Sequence, residues 1–443
     1  MAGYPTGVAY PATHQPRIAP AHLAAVAWLA GAGHPAIDRP YRFCELGSGT
    51  GFTTNLLAAA NPFAEFHAVD FNPAHVAEGR RLAEAGALPN VRHHALDFAA
   101  ARAALPDLDF VALHGVWTWV DDAARRDVLA FLAERLRPGG LVYVSYTARP
   151  GMDGVAALRG AMAAAGLLAD DRPPPERLAR LAGWLARLRA AQPEFAEGDP
   201  TLAAYVEALP AMDEAGALHD LLAPDWRAEF HGSVRAAMAT AGLDWVGDAD
   251  LAMNLPGAGL PPAQAALLAA GGGEAVKDLL LRRAFRRDVY RRPGPAAATP
   301  LRWFRKDGGA GEPTAEVVAA GGAVPLVAAP SPPAGLPRLS PFNRTTLELG
   351  IGREDARIVA GTTIGGGVVL DRTTAYLLSA VAAAGPGGGA RMMACRLAAE
   401  GRGISAGGRT VTDPAGLEHL IAPRIAQFEA TDLPRLRRLG AVA

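Results

Sequence analysis

The residues best suited to chemistry lie in one short stretch, from Tyr41 to Asp70. An apolar segment there includes the acidic residue Glu45 and leads into the turn Gly-Ser-Gly-Thr-Gly at 47–51. A helix-like segment follows, and a second apolar segment ends at Asp70. Glycines let a backbone turn tightly against a ligand, and a carboxylate accepts hydrogen bonds from both hydroxyls of a ribose. The stretch therefore predicts a nucleotide-type cofactor site at the carboxyl end of a parallel sheet.

The glycine spacing selects the kind of nucleotide. A dinucleotide site carries Gly-x-Gly-x-x-Gly, whereas the third glycine here comes one residue earlier. Glu45 beside the turn would repel a pyrophosphate and suits a cationic ligand. The pattern Glu-x-Gly-x-Gly-x-Gly with a downstream Asp resembles the first motif of class I S-adenosylmethionine-dependent methyltransferases, whose donor carries an ammonium and a sulfonium. The alternative is an incidental structural turn.

Two further groups follow later predicted strands. Asp97 and Phe98 come where a carboxylate would hold an adenine amine and a ring would pack on the base, although a helix-capping role is the alternative for Asp97. The segment His-Gly-Val-Trp-Thr-Trp-Val at 114–120 follows the fourth strand. Trp117 and Trp119 are therefore candidate contacts to the methyl acceptor, unless they pack under the next helix.

Candidates for proton transfer come from the same region. Methyl transfer is a displacement at carbon, so alignment and desolvation dominate, and a base matters when the acceptor is a protonated amine or a hydroxyl. His114 and Tyr146 are the predicted catalytic residues, and Tyr146 is also a candidate substrate contact. No metal site is predicted, because the adjacent His93 and His94 project to opposite faces of a strand.

Strands that alternate with helices must position these residues. Predicted strands cover 42–46, 66–70, 91–95, 109–114 and 141–146, and predicted helices cover 20–32, 52–61, 73–85 and 121–136. This alternation predicts an α/β fold with a parallel sheet and right-handed crossovers. Because ligands bind beyond the carboxyl ends of such strands, Glu45, Asp70, Asp97, His114 and Tyr146 are expected to converge on one crevice.

After the fifth strand, the alternation of predicted strands and helices is interrupted. A helix-rich segment at 152–224 has an apolar face around Leu178, Leu181, Leu185 and Leu188, and it is a candidate substrate-binding cap. A helix at 226–241, a sixth strand from Leu243 and an edge strand at 287–292 then resume the α/β pattern. The basic run at 282–292 is expected to form a solvated face, with an acidic partner or RNA as the alternative.

Four regions are predicted along the chain. They are an N-terminal lid and helix at 1–40, an α/β domain at 41–306 with the helical insertion at about 152–224 and a further region at about 225–306, a linker at 307–342, and a smaller α+β domain at 343–443. Within the last of these, strands are expected at 345–351 and 367–370, and helices at 371–383 and 413–431.

Composition narrows the class of protein. The formal net charge of -1 gives no general attraction to nucleic acid, so no nucleic-acid partner is expected. Two cysteines, Cys44 and Cys395, lack a metal-like or catalytic pattern and are expected to be reduced. No segment combines about eighteen apolar residues without charges or breakers, so the protein is expected to be cytoplasmic, with no membrane span.

Longer segments support a narrower resemblance. Tyr10-Pro-x-x-His-x-Pro, Glu45-Leu-Gly-Ser-Gly-Thr-Gly, the 114–120 segment and Val144-Ser-Tyr-Thr-Ala-Arg-Pro-Gly resemble bacterial methyltransferases that carry a methyltransferase regulatory domain. That group includes the outer-membrane-protein lysine methyltransferases of rickettsiae. Segments at 241–250 and 283–287 resemble the regulatory region, so the likeness covers about residues 4 to 292.

The resemblance implies a Rossmann-like class I fold that binds S-adenosyl-L-methionine. By similarity, the donor contacts map onto Tyr10, His14, Glu45, Gly47, Ser48, Gly49, Asp70, Phe71, Asp97, Phe98 and His114. Ser48 departs from the Cys or Asp more usual inside the glycine turn. The expected function is methyl transfer to a protein, with a lysine amine as the expected acceptor and a homodimer as a candidate assembly. The alternatives are a small-molecule methyltransferase and a donor-binding regulatory protein that has lost its chemistry.

Overall fold

The structure is a computed structural model, and it describes two sets of residues. The larger set covers residues 14–168, 172, 174–209, 223, 225–295, 300–305 and 311–326. The smaller set covers 358–361, 367–370, 404–406, 409–411, 421–423, 425–428, 430–431 and 433–434. Tyr10, Cys395 and the predicted elements at 345–351 and 371–383 lie outside the described residues.

Seven strands form one mixed sheet in the order β3-β2-β1-β4-β5-β7-β6. They are β1 (Arg42–Leu46), β2 (Glu65–Asp70), β3 (Val91–Ala95), β4 (Leu108–Leu113), β5 (Leu136–Thr147), β6 (Asp244–Asp248) and β7 (Phe285–Arg291). The first five strands run parallel, whereas β7 runs antiparallel to both of its neighbours. The predicted α/β, Rossmann-like fold class is confirmed.

Helices cover both faces of this sheet and form the insertion after β5. They are α1 (Pro20–Leu29), α2 (Phe52–Ala60), α3 (Pro73–Ala85), α4 (Phe98–Ala104), α5 (Asp122–Arg135), α6 (Asp153–Ala164), α7 (Pro174–Ala191), α8 (Pro200–Ala208), α9 (His231–Thr240), α10 (Pro262–Ala269), α11 (Gly273–Leu281) and α12 (Ala315–Ala319). Short polar side chains begin several of them. Asn72 accepts a hydrogen bond from the Ala74 amide at 3.0 Å, and Asp121 accepts one from Ala124 at 2.7 Å, which satisfies donors at the first turn.

The prediction of an edge strand at 287–292 is wrong. That segment is β7, which lies between β5 and β6, so β6 is the edge. β6 suits an edge because its register shifts between Trp245 and Gly247, a bulge of the kind that discourages further pairing. The order of strands depends on long-range pairing, and local residue patterns do not carry it.

The basic run at 282–292 does not form a solvated face. Arg286 is fully buried, and its guanidinium pairs with Asp288 at 2.8 Å and with Asp278 at 2.6 Å. His231 Nδ1 lies 3.2 Å from the same Asp288 carboxylate. Burial alone would raise the pKa of Asp288, but the His231 hydrogen bond and the Arg286 charge hold that pKa well below its usual range. The interior strand β7 therefore carries a buried ion-pair network, where the sequence suggests surface charge.

Alternate residues of β5 belong to two different cores. Val142, Val144 and Tyr146 pack with α4, α5 and α9, whereas Leu141 and Tyr143 pack with α1 and α2. This follows from the period of two along a strand. The face on which a β5 side chain lies decides whether it reaches the crevice.

The segment after β5 forms three helices with an apolar core of their own. Leu181 and Leu185 of α7 pack with Val155 and Met162 of α6, which confirms the predicted apolar face. In the C-terminal part, β10 (Ile358–Gly361) pairs antiparallel with β11 (Gly367–Leu370), and the latter is the strand predicted at 367–370. Two further antiparallel strand pairs are β8 (Arg302–Arg305) with β9 (Ala323–Leu326), and β12 (Ile404–Ala406) with β13 (Arg409–Val411). The four predicted regions stay predictions.

Candidate active site

The glycine turn between β1 and α2 is held by the neighbouring strand. The Gly47 and Ser48 amides donate to the Val69 carbonyl at 2.8 and 3.0 Å. Gly47 has a φ of +71° and Gly51 a φ of +65°, a left-handed conformation that favours glycine. A Cβ at Gly47 would collide with the Val116 side chain, and one at Gly51 would collide with His93. The turn therefore needs glycine for its conformation and for space.

Glu45 lies at the base of this turn, in β1. Its side chain is buried, and the Thr54 hydroxyl of α2 donates to one carboxylate oxygen. Burial raises the pKa of the Glu45 carboxyl to about 7, with the nearby Asp70 charge adding to the effect and the Thr54 hydrogen bond opposing it. A carboxylate held in this way stabilises a cationic group that enters beside it.

Asp70 ends β2 and is fixed by backbone amides. Gly49 donates to its Oδ2 at 2.9 Å and Asn72 donates to its Oδ1 at 2.9 Å, while His75 Nδ1 lies 3.4 Å from Oδ1. A carboxylate offers about four lone-pair positions, so capacity for further donors remains after these two amides. This arrangement suits the two hydroxyls of a ribose.

The aromatic residues after β2 and β3 line the same cleft. Phe71 and Phe98 both contribute to its lining. Asp97 does not: its side chain is exposed, and its Oδ1 accepts a hydrogen bond from Ala100 at 2.8 Å, which caps α4. The structure thus brings Phe98 to the cleft and leaves Asp97 at the helix start.

His114 lies at the end of β4, on the other side of the turn. Its Nδ1 lies 3.0 Å from the Tyr143 hydroxyl and 3.3 Å from the Ser145 Oγ, and Ser145 also accepts a hydrogen bond from Gly115 at 2.9 Å. Burial, with the charges of Arg287 and Arg17, lowers the pKa of His114 to about 4. His114 is therefore neutral at pH 7 and a weak base.

His114 and Tyr143 share a hydrogen bond whose direction depends on the tautomer of the imidazole. Burial raises the pKa of Tyr143, so its phenol stays protonated and either donates to Nδ1 or accepts from it. In the tautomer in which Nδ1 accepts, Nε2 carries the proton and can donate to a ligand. In either tautomer the lowered pKa makes His114 poorly suited to accept a proton from a ligand.

The expectation that Tyr146 reaches the crevice is corrected by the structure. Tyr146 is fully buried in the core with α4, α5 and α9, and its hydroxyl donates to Asp288 at 2.5 Å. Tyr143 and Ser145 lie on the opposite face of β5 and contact His114 instead. The period of two along β5 groups Tyr143 with Ser145 on one face, but the sequence does not say which face meets the crevice.

The two tryptophans after β4 separate in the same way. Trp119 lines the cleft, whereas Trp117 is 3% exposed and packs in the core under the Arg125 guanidinium. The alternative role, packing under the next helix, therefore applies to Trp117. Trp119 remains a candidate contact to the acceptor.

The described N-terminal residues contact α2 beside the cleft. Gln15 lines the cleft, and its backbone N–H donates to Thr53 Oγ1 at 3.1 Å. His14 is not among the lining residues; its Nε2 is buried without a hydrogen-bond partner in the described part of the chain, and burial lowers its pKa to about 4. Gln15, Thr53 and Thr54 carry no motif that sequence reasoning would single out.

The cleft is suited to a methyl donor of the S-adenosylmethionine type. It measures about 960 Å³ with its open mouth, and it is lined by Glu45, Gly47, Ser48, Gly49, Asp70, Phe71, Phe98, His114 and Trp119 among others. Ser48 Oγ is buried without a hydrogen-bond partner among the described residues, so a polar ligand group would satisfy it. Glu45 suits the ammonium, Asp70 the ribose, and the two phenylalanines the purine.

The fold and this site define the class of the protein. A seven-stranded sheet with one reversed strand beside the edge, and a Glu-Gly-Gly-Gly-Asp site at its carboxyl end, is the class I methyltransferase arrangement. The chain belongs to the S-adenosylmethionine-dependent methyltransferases, so S-adenosyl-L-methionine is the cofactor that the cleft fits.

Comparisons with known proteins support this family. Residues 44–142 match the model of a methyltransferase domain, and residues 215–292 match that of a predicted methyltransferase regulatory domain. A trans-aconitate 2-methyltransferase of Methylobacterium radiotolerans is 31% identical over 224 residues, which cover 47% of this chain and 68% of that protein. An uncharacterized protein of Synechocystis is 28% identical over 303 residues, which cover 67% of this chain and 60% of that protein.

The match to a solved structure concerns the fold. PKMT2 from Rickettsia typhi, in complex with AdoHcy, superposes with a TM-score of 0.74 at 16% identity, and the match covers 98% of this chain and 99% of that one. Against the Synechocystis protein and two Rickettsia prowazekii proteins, the matched part spans between 26% and 60% of their lengths. Among the described residues, no helix is long and apolar enough to cross a membrane.

Proposed function

We propose that this protein transfers a methyl group from S-adenosyl-L-methionine to an acceptor bound near the end of β4. The observation that carries the proposal is the buried Glu45 carboxylate beneath the glycine turn, together with Asp70 at the end of the next strand. Two backbone amides hold the Asp70 carboxylate in place. A buried carboxylate without an ion-pair partner is costly, and a cationic ligand relieves that cost.

Five residues of the cleft have a proposed role. When bound, the donor supplies a methyl group on a positively charged sulfur. Glu45 pairs with the donor ammonium, Asp70 accepts from the ribose, and Phe98 packs against the purine. His114 donates a hydrogen bond from Nε2 and aligns a reacting group, and Trp119 excludes water from the acceptor.

Binding of the donor is the first test. Calorimetry with S-adenosylmethionine is expected to give an affinity that Asp70→Asn weakens at least about tenfold, since a charge-assisted hydrogen bond contributes about 1.5–3 kcal/mol. Asp107→Asn is the matched control, because this exposed carboxylate precedes β4 at the opposite end of the sheet. Equal affinities in the wild type and Asp70→Asn would refute the site assignment.

For the acceptor, we propose a protein lysine amine. The support is the resemblance of the 114–120 and 144–151 segments to the lysine methyltransferases of rickettsiae. Because His114 has a pKa of about 4, the amine would have to lose its proton before it enters the cleft. A small organic acid is the second candidate, favoured by the relative named trans-aconitate 2-methyltransferase.

Labelled methyl transfer separates these acceptors. Radiolabelled donor and a bacterial lysate are incubated with the protein, and the label is measured in protein, nucleic-acid and small-molecule fractions. Label in protein that survives hydrolysis as methyl-lysine would support the first candidate, whereas label confined to metabolites would exclude it. Label in no fraction, with intact donor binding, would favour a non-catalytic regulatory protein.

Assembly and location stay predictions. A possible homodimer is tested by light scattering of the purified protein, where a mass near 45.9 kDa would exclude it. The predicted cytoplasmic location is tested by cell fractionation.

A further inference from the structure

Two arginines share one carboxylate beside the cleft. The Arg17 guanidinium pairs with Asp250 Oδ1, and Arg287 Nη1 lies 3.4 Å from Asp250 Oδ2. All three side chains are partly accessible, with exposed fractions of 41% for Arg17, 28% for Arg287 and 31% for Asp250. Arg17 and Arg287, called here the arginine pair, make none of the donor contacts described above.

The arginine pair lies next to His114. Arg287 is the register partner of Ser145 across β5 and β7, so their side chains emerge on the same face with Cβ atoms about 5 Å apart. Ser145 Oγ lies 3.3 Å from His114 Nδ1. Arg17 follows Gln15, which lines the cleft, by two residues. The two cations therefore flank the His114 end of the cleft, just outside its lining.

The strand order places the arginine pair on the acceptor side. Glu45 and Asp70 stand on β1 and β2, whereas Arg287 stands on β7, two strands beyond β4 in the opposite direction. At about 4.8 Å per strand, β7 is about 10 Å past the strand that ends at His114. A donor that spans β2 to β4 leaves this side open to the acceptor.

Positive charge is in excess at this position. Among the described residues, Arg17 and Arg287 form ion pairs only with Asp250, and the neighbouring Asp248 pairs with Arg283 at 2.6 Å. Residues 1–13, which precede this region, contain no Asp or Glu. The positive charge reaches the cleft, since both arginines help to keep His114 neutral. An arginine with free donors binds a carboxylate in a fixed, often bidentate geometry.

We propose that Arg17 and Arg287 recognise a carboxylate on the methyl acceptor, with Asp250 orienting both guanidinium groups. The inference rests on the proposed methyl transfer and specifies its acceptor. The carboxylate belongs either to a free small acid or to an acidic side chain beside the target residue of a protein. In both cases the acceptor carries negative charge near the atom that is methylated.

Binding of a charged probe tests the arginine pair directly. The protein is saturated with S-adenosylhomocysteine and titrated by calorimetry with citrate and, separately, with the uncharged triethyl citrate. Citrate is expected to bind, triethyl citrate is not, and Arg17→Gln and Arg287→Gln are each expected to weaken citrate binding at least about tenfold. Arg81→Gln is the matched control, because Arg81 is an exposed arginine that pairs with one carboxylate on α3. Equal citrate affinity in Arg287→Gln and Arg81→Gln would overturn the proposal.

The labelled transfer assay then identifies the source of the carboxylate. Label in organic acids identifies a free acid, and label in protein at sites flanked by Asp or Glu identifies an acidic segment. In either fraction, Arg287→Gln is expected to lower the labelling rate at least about tenfold while donor affinity stays unchanged. Labelling that is indifferent to Arg287→Gln, or a product without a nearby carboxylate, contradicts the proposal. Absence of donor binding in the wild type would instead refute the methyl-transfer function. Failure of the carboxylate proposal and failure of the proposed function are therefore distinguishable.

Discussion

Glu45 makes donor binding depend on pH. In the donor-free protein, burial raises the pKa of the Glu45 carboxyl to about 7, but the donor ammonium requires the ionised form. The observed dissociation constant is the intrinsic one multiplied by 1 + 10^(pKa − pH). The constant is therefore expected to rise about tenfold between pH 8 and pH 6, since one pKa unit corresponds to about 1.4 kcal/mol. Glu45→Gln is expected to bind the donor more weakly and to lose this slope.

The same carboxyl changes the stability of the donor-free protein. Its folded pKa of about 7 lies above the ordinary glutamate value of 4.5. The raised pKa therefore contributes stability that is present below about pH 4.5 and is lost as the pH rises through 7. The loss amounts to about 3 kcal/mol, from a shift of about 2.5 units. Relative to the wild type, Glu45→Gln is expected to be more stable at pH 8 than at pH 5 by up to this amount.

Two measurements check this reasoning. Calorimetry from pH 6 to pH 8 gives the slope of donor affinity, and urea unfolding at pH 5 and pH 8 gives the stability difference between the variant and the wild type. Comparing the variant with the wild type at both pH values cancels packing effects of the amide. A flat affinity profile in the wild type, or the same slope in Glu45→Gln, would show that Glu45 does not titrate against the donor.

Three other substitutions test neighbouring features. Gly51→Ala places a methyl group against the His93 imidazole at a residue with a left-handed backbone conformation. It is expected to lower the free energy of unfolding in urea by about 1–3 kcal/mol and to abolish donor binding. Gly160→Ala is the control, because a Cβ there lies in open space on α6 and is expected to have neither effect. Asp288→Asn removes a carboxylate that pairs with the buried Arg286 guanidinium. It is expected to lower the free energy of unfolding by about 3 kcal/mol or more in the same assay. Tyr143→Phe is expected to lower the rate of methyl transfer at unchanged donor affinity, while Tyr146→Phe is expected to lower only the stability; equal effects of the two would contradict their assigned faces.

The positive charge of the arginine pair affects a lysine acceptor in two opposite ways. A positive field lowers the pKa of an approaching lysine ammonium and so favours the neutral amine, but it also repels the charged form. A carboxylate beside the lysine would cancel the repulsion, and a free acid would avoid it. The citrate titration and the labelled transfer assay therefore both test whether the methyl acceptor carries a carboxylate.

The sequence by itself determined the donor half of the site. Glu45, the glycine turn and Asp70 belong to two consecutive strand–turn units, so their relation depends on local backbone geometry that short motifs encode. The same is true of β1 to β4 and of α2, α3 and α5, which begin and end within one residue of the expected positions. Helix α4, which follows β3, is not among the predicted helices.

The tertiary structure alone decided the acceptor half. Which face of β5 meets the crevice depends on which helices cover each face of the sheet, with α1 and α2 on one face and α4, α5 and α9 on the other. This arrangement brings Tyr143 to His114 and Tyr146 to Asp288. The insertion of β7 between β5 and β6 brings Arg287 to within reach of Asp250 and beside Ser145. These contacts join residues far apart in the chain, and a local pattern carries no information about such pairings.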